Sequence, residues 1–190
     1  MKDSIKEKSK PQNQKKMHAH RPDLTGEHKI SDIGQIIGLV SFLTVWILDS
    51  FIFHFSDFLS RYVPWWVLIL IATPIWFTGG ILAYKGMTAV FGGGPKEPVI
   101  ISKGVFKISR HPIYLASLLV YIGWIISTLS LASIIILLLL ILFYNYIANY
   151  EEKILIEKFG DLYRDYQQQV PKWGIRILNR TQTKKRNRVD

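Results

Sequence analysis

Four long apolar stretches punctuate the chain: Ile33 to Leu48, with apolar character continuing to Phe55, then Trp65 to Tyr84, Pro112 to Thr128 and Leu131 to Ala148. Each is long enough to cross ~30 Å of hydrocarbon as a helix, the third and fourth only barely. Only Leu129 and Ser130 separate the last two, so those helices form an antiparallel hairpin. No breaker falls between Leu131 and Phe159, so the fourth helix runs on beyond the bilayer, carrying Asn145, Asn149, Glu151 and Glu152 on its last turns. Gly160 fits the C-cap of that helix, and Asp161 is expected to N-cap a short helix that Val170-Pro171 stops at Gln169. Leu162, Tyr163 and Tyr166 recur at helical spacing and would pack that short helix back onto the hairpin. The run Gly92-Gly93-Gly94-Pro95 reads as a flexible break and, with no Gly-Lys-Ser/Thr after it, not as a phosphate loop.

This pattern predicts an all-α polytopic membrane protein with four transmembrane helices. A short re-entrant helix in the first segment or over Tyr84 to Phe91 would make five. The expected division is a basic, disordered tail over 1–30, N-terminal transmembrane helices over 31–92, a helical-hairpin subdomain over 93–175 and a basic tail over 176–190. The tail up to Lys29 lacks the apolar core of a cleaved signal peptide, which leaves targeting to the first span.

Charge then orients the spans. The chain carries a net +10, divided between the first tail, the loop from Lys85 to Arg110 and the last tail, whereas Asp49 to Tyr62 holds two acids and a single Arg61. The positive-inside rule places both termini and the basic loop in the cytoplasm, and the Ser127 to Ser130 turn outside. Flanking apolar spans, the basic residues suit topology and anionic lipid better than nucleic acid. The chain has no cysteine, which excludes a thiolate metal site, a disulfide framework and a cysteine nucleophile. His18, His20, His28 and His54 are scattered, and no metal is expected.

Candidate chemistry gathers where the hairpin opens. Arg110, His111 and Tyr114 begin the third helix, with Pro112 in its first turn, and Asn145, Asn149, Glu151 and Glu152 end the fourth. Singly, each suits an interfacial anchor. Together, ionisable groups beside a membrane interior mark a site.

Two motifs carry a resemblance. Gly104-Val105-Phe106-Lys107-Ile108-Ser109-Arg110-His111-Pro112-Ile113-Tyr114 resembles the first signature of the isoprenylcysteine carboxyl methyltransferase family. Glu151-Glu152, Phe159-Gly160, Tyr163, Tyr166 and Val170-Pro171 resemble its second. The resemblance covers roughly Pro98 to Trp173. It implies that the hairpin and the short helix enclose S-adenosyl-L-methionine at the cytoplasmic face. Pro98, Val99, Ile100 and Ile101 would offer backbone contacts to it. Phe106, His111, Pro112, Ile113 and Tyr114 would line the pocket, Glu151 would close it, and Tyr163 and Tyr166 would complete the wall. Without a glycine fingerprint or alternating strands, the soluble methyltransferase fold is excluded.

The expected reaction is methyl ester formation on the carboxylate of a prenylated cysteine, in a peptide or a small lipophilic acid, taken from membrane lipid. Arg110 is expected to hold the acceptor acid, with Glu151 and Asn145 as the other catalytic candidates. Ala116 and Ser117 are small enough to leave a lipid route into the site. A phospholipid N-methyltransferase, whose amine acceptor needs a base such as Glu152 or His111, is the alternative enzyme. A non-catalytic scaffold or small transporter is the alternative of another class.

Overall fold

The computed structural model describes residues 29–92 and 100–174, with side chains from residue 33 onward. Both tails, Pro98 and Val99, and the Gly93-Gly94-Pro95 part of the glycine run lie outside the described residues. Helix α1 spans Lys29–Ile47, α2 Trp65–Phe91, α3 Pro112–Thr128, α4 Leu131–Phe159 and α5 Asp161–Gln169. Among the described residues there is no strand.

The outward faces of these helices are apolar. Ile36 is 62% exposed, Leu70 66% and Leu142 67%, which is the wrong way out for water and the right way for lipid. Ile33–Phe53, α2 and α4 are each long and apolar enough to cross a bilayer, and α3 is a shorter apolar helix of 17 residues. At 1.5 Å per residue α3 covers ~26 Å, and as one arm of the hairpin it follows α4 across. The protein is an integral membrane protein. Tyr84 to Phe91 does not form a re-entrant helix: it continues α2 without interruption. A fifth span is therefore not found among the described residues.

Small residues set the helix order α2, α3, α4, α1. A Cβ on Gly79 would stand 3.1 Å from the Ala116 carbonyl, and one on Gly123 would meet Trp76 Nε1 at 2.3 Å. Glycine at both places brings α2 and α3 together along their length. On the other side, Gly34 and Gly38 of α1 accept Phe143 and Leu140 of α4. Between α1, α3 and α4 lies an aromatic core of Phe42, Tyr121 and Tyr144, joined by Trp46, Trp124 and Trp173.

The first span does not end as a simple helix. Leu48–Phe53 continues α1 in wider, π-type turns, and His54 closes it in the left-handed region at φ 50°. The wider turn carries Asp49 inward, to 5% exposure. There its carboxylate accepts Ser56 N at 2.8 Å, Ser56 Oγ at 2.6 Å and Ser130 Oγ at 2.5 Å. Ser56 Oγ also accepts from Ala132 N at 2.8 Å, so the loop after α1 is clasped to the hairpin turn. A buried carboxylate this fully hydrogen-bonded is a structural knot.

At the opposite end, Gly160 closes α4 with φ 56°, and its N–H donates to Ile156 O at 2.8 Å. The expected capping by Asp161 is not made. Asp161 is the first residue of α5, makes no side-chain cap and pairs with Arg164 at 3.1 Å. Tyr163 and Tyr166 do pack inward, with Val170, against Ile100, Leu155, Ile156 and Phe159. Leu162, read as part of that face, is 71% exposed, because it sits about 100° around the helix from Tyr163.

Candidate active site at the hairpin mouth

Helix length explains why charge collects here. From Leu131 to Glu151 the rise is ~30 Å, one hydrocarbon thickness, so α4 presents its adjacent glutamates where it leaves the bilayer. Pro112 at the first position of α3 costs no helical hydrogen bond and leaves His111 as the residue before the helix, turned toward α4.

His111 is the hub. Its Nε2 lies 3.0 Å from Glu152 Oε1 and its Nδ1 3.4 Å from Glu151 Oε2. A neutral imidazole presents one acceptor nitrogen, which would face a carboxylate oxygen, so this setting selects the imidazolium. Burial alone would depress its pKa, but hydrogen bonds to Glu151 and Glu152, and their charges, outweigh it and raise it above 6.5. The ring lies parallel to Tyr114 at 5.7 Å, and Tyr114 donates its hydroxyl to Glu151 in a short contact.

Glu152 gathers the rest. Arg110 Nη2 donates to Glu152 Oε2 at 3.4 Å, Gln167 Nε2 donates to the same oxygen at 2.9 Å, and Arg110 Nη1 donates to Gln167 O at 3.0 Å. Arg110 Nε is 3.0 Å from Glu152 Oε1 but off the line of a hydrogen bond, so that contact is ionic only. Arg110 thus links α4 to α5 through one carboxylate.

A short strap closes the mouth from above. Pro171 O accepts from Arg110 N at 3.1 Å, Lys172 O accepts from Ser109 Oγ at 2.7 Å, and the Trp173 ring lies 6.0 Å from His111. Lys172 Nζ donates to Asn145 Oδ1 at 3.2 Å and to Asn149 Oδ1, while Trp173 Nε1 reaches Asn145 Oδ1 at 3.4 Å. Asn145 thus faces the strap.

The remaining expected residues lie in several different settings. Ile100 packs on the α5 cluster, and Tyr166 donates its hydroxyl to Phe106 O at 2.7 Å. Burial raises the pKa of both Tyr163 and Tyr166, the latter to about 12, so both phenols stay neutral where they pack. Pro112 and Ile113 instead lie against Gly86 of α2. Ala116, 1% exposed beside Leu82 and Val105, fills the α2–α3 seam, so its smallness serves close helix packing and opens no gap there. Ser117 is half-buried and turns its hydroxyl back to Ile113 O at 3.2 Å. Ile101 is half-buried in an irregular segment.

Sequence reasoning passed over Gln167, Lys172 and Trp173. The last two follow a proline and read as the start of a tail. Their aromatic and basic character directly after Val170-Pro171 was the available signal.

The fold and the mouth together define a polytopic helical membrane protein whose ionisable groups converge at the open end of a hairpin. Among known families, the phospholipid methyltransferase model matches residues 64–162, just over half of the chain. This chain belongs to that family. It is 35% identical over 95 residues to a methanethiol S-methyltransferase of a Pseudomonas species, a match covering 48% of this chain and 34% of that one. In fold it resembles the eukaryotic intramembrane Ras methyltransferase, isoprenylcysteine carboxyl methyltransferase, with a TM-score of 0.56 at 23% identity over 77% of this chain and 52% of the other. The chain therefore accounts for about a third and about half, respectively, of these two relatives' lengths.

Proposed function

We propose that the protein transfers a methyl group from S-adenosyl-L-methionine to the carboxylate of a prenylated cysteine, or a similar lipid-borne acid, at the cytoplasmic membrane face. The observation that carries this reading is that both glutamates at the mouth are already held by donors of the chain itself. Glu151 is engaged by His111 and Tyr114, and Glu152 by His111, Arg110 and Gln167. An ionised carboxylate acceptor needs no base, so a site without one suits it.

The donor set fits the methyl donor. The oxygens of Glu151 and Glu152 and the rings of Tyr114 and Trp173 offer acceptors and π faces to a cationic sulfonium and its ammonium, and backbone at Ile100 and Ile101 offers polar contacts. When bound, that group supplies a methyl already activated by positive sulfur. The chain's own part is to bind, align and keep water out. Arg110 and Gln167 hold Glu152 oriented, Tyr114 and His111 hold Glu151, and Tyr163 and Tyr166 close the wall under α5. Alignment and exclusion of solvent of this kind contribute ~7–11 kcal/mol.

The family description favours a second reading, methylation of a phospholipid amine. The thiol acceptor named for the bacterial relative is a third case: like an amine it must shed a proton before it attacks, although it then reacts as an anion. Purified protein given labelled methyl donor and prenylcysteine acids, aminophospholipids or alkyl thiols separates these acceptors. The expected product is a base-labile ester whose formation rate does not climb between pH 6 and 8. Labelled phospholipid, formed with a rising limb near neutrality, would replace this reading with the amine one.

A further inference from the structure

Lys172 points the wrong way for a surface lysine. Near a membrane, a lysine normally extends its stem outward to place the ammonium in water. Here the strap crosses the mouth at the level of Arg110 and His111, yet Lys172 Nζ turns inward to the side-chain oxygens of Asn145 and Asn149. Asn145 lies six residues before Glu151 on α4, ~9 Å nearer the bilayer interior. Asn149 is one turn above Asn145 on the same face, and the two hold the ammonium between them.

Charge at the mouth does not cancel around this group. Arg110 and His111 are matched against Glu151 and Glu152, one cation for each carboxylate. Among the described residues, Lys172 forms no ion pair, and the two oxygens that hold it belong to neutral amides. An ammonium carries three donors, and these amides take two. Glu152 acts on Lys172 from beyond ion-pair distance, and Arg110, His111 and Lys172 together face only the two carboxylates Glu151 and Glu152, so a half-buried ammonium held by neutral amides on the membrane side of this cluster is a place for an anion from outside the chain.

We propose that Lys172, positioned by Asn145 and Asn149, is the anchor for the acidic group of the lipid-borne acceptor. The inference rests on the reading above and narrows it, since an ammonium at this point selects an anionic acceptor and repels a protonated amine. The two partners of Lys172 lie ~3 Å (Asn149) and ~9 Å (Asn145) along α4 on the membrane side of Glu151, which turns the group toward an acceptor arriving from the bilayer rather than toward the carboxylate of the methyl donor, which enters from the aqueous side. Arg110, committed to Glu152 and to Gln167 O, is left to position α5.

The test compares acids with their neutral amides. Protein in lipid nanodiscs, saturated with S-adenosylhomocysteine, is titrated with N-acetyl-S-farnesylcysteine and its carboxamide, and with dodecanoic acid and dodecanamide. Each acid is expected to bind at least tenfold more tightly than its amide. Lys172→Gln should reduce that ratio to within about threefold, and Lys172→Arg should keep it, with S-adenosylhomocysteine affinity within about twofold in both variants. An acid preference missing from the parent, or surviving in Lys172→Gln, overturns the proposal. So does a tenfold loss of S-adenosylhomocysteine affinity in Lys172→Gln, which would assign the ammonium to the methyl donor. Preference for dodecanoate with no binding of either farnesyl compound supports the anchor and removes the prenyl acceptor. If the parent binds no S-adenosylhomocysteine, the methyl-transfer reading falls, and the same acid and amide pairs still read the lysine in the unliganded protein.

Discussion

His111 Nε2 lies 3.0 Å from Glu152 Oε1 across 41 residues of sequence, and this contact ties the start of α3 to the emergent end of α4. With Glu151 on its other nitrogen, the imidazole bridges two carboxylates, and the cation is the form that satisfies both.

A pH dependence follows from that bridge. Burial opposes the charged ring, yet Glu151 and Glu152 raise its folded-state pKa above 6.5, with Arg110 and Lys172 the other charged groups around the cluster. A raised histidine pKa contributes stability that is complete below the unfolded value and is lost as pH rises through the folded one. The thermal midpoint in detergent is therefore expected to fall as pH rises above 6.5, and His111→Gln should flatten the decline. A midpoint that climbs over that range would contradict the imidazolium bridge.

Asp49 makes the matching knot at the other end of the hairpin. Asp49→Ala leaves the Ser56 N–H, the Ser56 hydroxyl and the Ser130 hydroxyl without their shared acceptor. Each buried donor left unpaired costs about 1–3 kcal/mol. Denaturation in detergent should show a loss of that order or more, with S-adenosylhomocysteine affinity of the folded protein within about twofold of the parent. Unchanged stability would show that the clasp does not hold the loop to the hairpin.

Membrane orientation has a clean test because the chain has no cysteine of its own. Phe55 and Tyr62, 84% and 82% exposed between the first two spans, are suited to single cysteine replacement, as is Lys103 before α3. The loop charges predict labelling of Phe55→Cys and Tyr62→Cys by an impermeant maleimide from outside, with Lys103→Cys protected until the membrane is opened. Labelling of Lys103→Cys in sealed cells would invert the topology and move the mouth to the other face.

The hairpin was legible because its signals are local. Pro112 starts α3, Leu129-Ser130 turns the chain, Gly160 ends α4 and Val170-Pro171 ends α5, each where the sequence put it. The convergence of Arg110, His111 and Tyr114 with the two glutamates followed from the short turn. What stayed hidden was non-local. Asp49 reads as loop, and it turns inward only because Ser56 and Ser130 fold over it. Adjacent glutamates point about 100° apart on a helix, and periodicity cannot say that His111 lies between them and meets both. Ala116 has the same small side chain whether it lines a gap or a seam, and Gly79 opposite decides for the seam. Lys172 and Trp173 acquire their roles from α4 and the aromatic core, to which no spacing in their own segment points.

The most direct test of the account is calorimetric titration of the purified protein with S-adenosylhomocysteine, repeated on His111→Ala and Glu151→Ala. Neither side chain supplies a helix cap or a backbone hydrogen bond of α3 or α4, so the helical circular dichroism should be unchanged. The account predicts binding by the parent and affinity at least tenfold weaker, about 1.4 kcal/mol, in each variant. No binding heat in the parent, or affinities within about twofold of it in both variants, would contradict a methyl-donor site at the hairpin mouth.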